Sequence, residues 1–112
     1  RSMVGAAEKN ETQRALVELF ATLSAEATNA DHPAHDYFVG RYERLLASLI
    51  GAYEVARDAG DLVDGIEPRV AAAQLIALLD GLQVQWLLGT LPAPMGRIVT
   101  GHLDAQLREP LG

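Results

Sequence analysis

The run Asp31-His32-Pro33-Ala34-His35-Asp36 is the nearest thing in this chain to a chemically competent cluster. Two imidazoles flanked by two carboxylates at a helix start are a donor set that a divalent metal accepts. The same residues also cap a helix and solvate its first turn. Capping is the reading the pattern favours, and no metal is expected. His102 lies far off along the sequence and fits an interface or surface position. Nucleophilic chemistry has little to work with. Ser2, Ser24 and Ser48 fall in helical segments, without the strained GxSxG turn that exposes a catalytic serine. No two carboxylates are set up as general acid and base. The glycines form no phosphate-cradling loop, and cysteine is absent. No catalytic residue and no cofactor are expected; the chain does not read as an enzyme.

Asp80 is the most conspicuous single residue, an acid in the middle of an apolar helical stretch. Burying it unpaired is costly. Three readings fit it: a hydrogen-bond acceptor across a subunit seam, a position where the helix reaches the surface, or a ligand contact. Gly81 beside it costs roughly 1 kcal/mol in a helix interior, which a close helix crossing would justify. Gln83, Gln85 and Trp86 suit the same seam. The tyrosines Tyr42 and Tyr53, with Phe20, fall on inward stripes. Helical pockets are mostly apolar with a few such polar handles, and plain core packing accounts for the same pattern.

The elements that position these residues are helices. Glu67 to Leu91 reads as one helix, with Pro68 in its first turn and Gly89 and Pro92 at its end. Its apolar residues, among them Val70, Leu75, Ile76, Leu78, Leu79, Leu82, Val84 and Trp86, point nearly all round the axis. A helix apolar all round must be covered all round. A chain of 112 residues can cover one face itself, so the other is expected to meet a second subunit. Before it, a partial helix over residues 1 to 8 is expected to stop at Asn10, with Thr12 capping a second helix to Thr28. A third runs from near Pro33 to Ala59 on the stripe Phe38, Tyr42, Leu45, Leu49, Tyr53 and Ala56. Gly60 suits the left-handed residue that ends it. The last helix covers Met95 to Leu107, with Met95, Ile98, Val99, His102, Leu103 and Gln106 inward. Its tight connection to the preceding helix makes the two antiparallel. The fold class is all-α: an antiparallel bundle of four to five helices in one domain, residues 1–112, the last two helices closing a four-helix bundle between subunits. Such an interface is isologous.

Composition narrows the function. The net charge is −6, and the nine basic residues comprise one lysine, Lys9, and scattered arginines. No basic cluster follows a phosphate backbone, so these residues alone should bind nucleic acid poorly. The absence of cysteine fits a reducing cytoplasm, and no secretory signal is visible. Gln74, Asp80, Gln83 and Gln85 within the longest apolar run argue against a membrane span. The opening Arg1-Ser2-Met3, with helical spacing at Met3, Val4 and Ala7, suggests a fragment that begins inside a helix; a tag remnant is the alternative.

Three stretches carry a resemblance: LVELFATLSAEATNADHPAHDYFVGRYE (Leu16 to Glu43), AGDLVDGIEP (Ala59 to Pro68) and AAAQLIALLDGLQVQWLL (Ala71 to Leu88). In order and spacing they resemble the C-terminal half of a TetR-family transcriptional regulator, over essentially the whole chain. RSMVGAAEKN is similar to the family's helix just before this region. The resemblance implies a cytoplasmic two-part protein. A helix-turn-helix headpiece reads the operator, and a helical C-terminal domain dimerises through its last two long helices and holds a small-molecule pocket. The headpiece is not in this sequence, so DNA is a partner only through that missing N-terminal part. The expected partners are a second copy of the chain and a small apolar or amphipathic effector. Candidate effector contacts are Phe20, Leu23, Tyr42, Leu46, Leu49, Tyr53 and Leu79. Candidate seam residues are Leu75, Leu78, Asp80, Leu82, Gln83, Gln85, Trp86, Ile98, Val99, His102 and Leu103. An effector favouring one packing of the bundle would alter the spacing of two headpieces. The alternative is a helical oligomerisation module without a ligand.

Overall fold

The computed structural model describes the backbone of residues 3–111 and the side chains of residues 13–111. Among these there are four helices and no strand: α1 (Met3–Glu26), α2 (His35–Asp58), α3 (Pro68–Leu88) and α4 (Met95–Asp104). The chain divides into two compact units, Arg1–Val39 and Gly40–Gly112.

The first unit holds α1 and the opening turn of α2. α1 is one unbroken helix, where the sequence suggested a stop at Asn10 and a fresh start at Thr12. Residues of that type cost only a few tenths of a kcal/mol each inside a helix. With no proline between Met3 and Glu26, nothing forces the ladder to break. The stripe begun by Met3, Val4 and Ala7 and any capping by Asn10 or Thr12 lie outside the described side chains, as does the Arg1-Ser2 opening. α1 ends where polar side chains compete for its backbone. Thr28 Oγ1 donates to the Ala25 carbonyl at 2.8 Å, and Asn29 Oδ1 accepts from the Asp31 N–H at 2.9 Å. Ala27 and Phe38 are buried here. The Phe38 ring meets Phe20 and Tyr37 edge to face, at centroid separations of 5.6 and 5.2 Å, the arrangement the ring quadrupole prefers.

In the second unit, α2 and α3 both end on a left-handed glycine. At Gly60 (φ 77) the N–H bonds the Arg57 carbonyl and the next N–H reaches back to Ala56, both at 2.9 Å. Gly89 (φ 73) repeats the pattern with Trp86 and Gln85, both at 3.0 Å. These are paired terminal bonds that satisfy the last carbonyls, and only glycine takes that φ without strain. α3 therefore stops at Leu88, short of the Leu91 read from the sequence. Pro68 sits in its first turn as expected.

The core joins Tyr53 of α2, Leu62 of the loop, and Ala71, Ala72 and Leu75 of α3. Leu46, Leu49 and Ile50 close over it from α2, Leu78 and Leu79 from α3, and Val99, Leu103 and Leu107 from α4 and the residues after it. α4 stops at Asp104, three residues before the expected end. The chain beyond it instead pairs with the α2–α3 loop through an antiparallel bridge between Leu62 and Leu107.

Candidate functional site

α3 turns about 100° per residue, and its burial follows that rotation. Pro68, Ala71, Ala72, Leu75, Ile76 and Leu82 are buried. On the opposite side Val70, Ala73, Ala77, Gly81, Val84 and Leu88 are exposed. They follow one another at steps of three and four, so they share a face. Its centre line is apolar, and exposed Gln74 and Asp80 border it at the same spacing. Its large residues stay open: Val70 is 49% exposed, Val84 48% and Leu88 70%. A Cβ added at Gly81 would meet nothing within 4 Å. No contact within the protomer therefore requires a glycine there, although it weakens the helix.

The expected seam residues divide. Leu75 and Leu82 are buried within the chain, at 8% and 2% exposure, and have little surface left to offer a partner. Leu78, Val99 and Leu103 pack against the protomer's own core. Asp80, Gln85 and Trp86 are exposed, and Gln83 and Ile98 are half-buried. Asp80 sits where the helix surfaces; its Oδ2 accepts the Tyr42 hydroxyl at 2.7 Å, tying α2 to α3 in one chain. His102 is half-buried, with its Nε2 enclosed and without a hydrogen-bond partner in the protomer. Of the small members of the open face, Gly81 is legible in the sequence as a crossing point, whereas Ala73 and Ala77 stand out only once the buried side of α3 is known.

The expected effector contacts also divide. Leu46, Leu49, Tyr53 and Leu79 come together around the core of the second unit. The Tyr53 hydroxyl donates to Gln106 Oε1 at 2.5 Å, with both residues buried. Burial raises the Tyr53 pKa above its usual 10.0, and the Gln106 hydrogen bond partly opposes this. Tyr42 is the half-buried polar handle at the α2–α3 edge. Phe20 and Leu23 belong to the first unit.

The histidines of the α1–α2 turn act on the backbone. His32 Nδ1 accepts the Ala34 N–H at 3.0 Å, and His35 Nδ1 donates to the Ala27 carbonyl at 2.7 Å. Both bonds fix the turn between the helices. By length and composition alone α3 is apolar enough to cross a membrane. The same test is passed by helices that cover a core on one side and a neighbour on the other.

Among the described residues the fold is all-helical, with the short α4 packed beside the long α3 and an apolar strip left open on the outer side of α3. Residues 2–108 match the family model for the C-terminal region of BetI-type transcriptional repressors, and the chain belongs to that family. It is thus a TetR-family C-terminal domain, the ligand-binding and dimerisation part of a transcriptional regulator. No curated protein and no solved structure matches the chain.

Proposed function

We propose that this chain is the effector-sensing and dimerisation core of a transcriptional repressor, whose operator-reading headpiece lies outside these residues. The observation that carries the reading is the outer face of α3. Its centre line is apolar from Val70 to Leu88, and it includes a glycine that no contact inside the protomer requires. A surface of that kind marks an interaction site. A second copy crossing near Gly81, with α4 alongside, would cover it isologously. The seam then runs through Val70, Ala73, Ala77, Gly81, Val84 and Leu88, with Asp80, Gln83, Gln85, Trp86, Ile98 and His102 at its margins. The net charge of −6 leaves nucleic-acid contact to the headpiece.

The effector would be a small apolar or amphipathic molecule, held by side chains of the second unit drawn from Tyr42, Leu46, Leu49, Tyr53 and Leu79. It would act by binding one packing of the bundle better than another. An effector with equal affinity for both would shift nothing. Apolar and amphipathic metabolites should raise the melting temperature in a thermal-shift screen. If every class leaves it unchanged, the chain is better described as a ligand-free oligomerisation module.

The seam has a direct chemical test, because the sequence holds no cysteine. Gly81→Cys should give a disulfide-linked dimer on mild oxidation, since bridging requires Cα atoms within about 7 Å. Glu54→Cys, on exposed α2, should not. Equal cross-linking of the two variants contradicts the proposed seam.

A further inference from the structure

α4 is 10 residues long and none of its residues is fully buried. A helix that short has little stability of its own, and the apolar contacts of Val99 and Leu103 are non-directional. Its directional fastening lies just beyond its end. The Val63 N–H donates to the Gln106 carbonyl at 2.9 Å, and the Arg108 N–H donates to the Asp61 carbonyl at 2.8 Å. Leu62 is buried at the middle of this bridge. Beneath it the Tyr53 hydroxyl donates to the Gln106 side chain. Apart from the Tyr53 hydroxyl, Gln106 carries the only polar side chain that is buried among the described residues. Buried hydrogen bonds of this kind fix one arrangement, because any slip leaves a polar group unpaired.

We propose that this strap, Asp61–Val63 paired with Gln106–Arg108 and pinned by Tyr53, is the positioning device of the subunit seam. It sets the lengthwise register of α4 against α2 and α3, and so the part of the dimer surface that α4 supplies. The proposal rests on the dimer reading above. It predicts that seam affinity responds to the presence of the Tyr53–Gln106 bond and not merely to protomer stability.

Three variants of the full chain test this beside the wild type, with melting temperature and dimer Kd measured for each. Tyr53→Phe leaves the Gln106 oxygen buried without a donor, and should lower the melting temperature and loosen the dimer. The double variant Tyr53→Phe/Gln106→Leu leaves no polar group unpaired, which can be nearly neutral for folding. Its melting temperature should recover while its dimer Kd stays about tenfold weaker than wild type, a difference of ~1.4 kcal/mol. Arg108→Pro removes two fastenings of the bridge at an exposed position, the N–H to Asp61 and the Arg108 Nη2 bond to Asp64 Oδ1 at 2.8 Å, without touching the buried pair. It should weaken the dimer while helicity is kept. A Kd that recovers together with the melting temperature in the double variant, or a wild-type Kd in Arg108→Pro, overturns the strap and leaves the dimer standing. A wild type that is monomeric at every concentration overturns the dimer reading, and the strap with it.

Discussion

Leu82 and Val84 are neighbours on α3 with similar side chains and opposite circumstances. Leu82 is 2% exposed and Val84 48%, because about 200° of helix rotation separates them. The inner face of α3 is finished within the protomer; the outer face is equally apolar and left uncovered. Hydrophobicity alone therefore does not distinguish a core from a seam. What distinguishes them is which face the chain's other elements cover. The outer face also differs in grain. Its small residues, Ala73, Ala77 and Gly81, form one continuous run between Val70 and Val84, which suits close helix approach, whereas the inner face sets Ala71 and Ala72 at one end and Leu75, Ile76 and Leu82 along the rest.

That contrast can be broken most severely at Leu82. Leu82→Asp places a charge in a buried site and should cost ~3–5 kcal/mol or more, enough to unfold a marginal domain. Loss of the cooperative thermal transition by circular dichroism is the expected result. Val84→Asp puts the same charge on the open face. Its effect on protomer stability should stay within about 0.5 kcal/mol, while light scattering shows the mass falling to that of a single chain.

A smaller effect separates the two tyrosine hydrogen bonds of α2. The Tyr53 pKa is raised by burial. The stability tied to its neutral form is therefore complete below about pH 10, the unfolded value, and is lost as the pH climbs through the higher folded value. Melting temperatures taken from pH 8 upward should fall more steeply in the wild type than in Tyr53→Phe once the pH passes about 10. Identical slopes would mean that Tyr53 ionises as freely in the folded chain as in the unfolded one. Tyr42→Phe removes a bond at the surface, to exposed Asp80. It should cost less than about 1 kcal/mol by urea denaturation, the smallest effect of the set.

How far this could be read from residues alone varies along the chain. Pro68, Gly60 and Gly89 carry their own backbone geometry, so the bounds of α2 and α3 followed closely from sequence. Asn10 and Thr12 only permit a helix end and do not compel one, and α1 runs through them. The Leu62–Leu107 bridge and the Tyr53–Gln106 bond join residues more than forty positions apart. No local pattern announces such pairings. Among the seam candidates, Leu75 and Leu82 have the same apolar character as the open residues of α3, and only the packing of the other elements shows that the protomer itself buries them.

If a second copy of the chain covers the outer face of α3, sedimentation equilibrium over a concentration series of the wild type and Val84→Asp must separate the two. The expected masses are twice 12.0 kDa for the wild type and that of a single chain for the folded variant. A wild type that stays at one chain mass at every concentration, or a Val84→Asp dimer as tight as wild type, would contradict that arrangement.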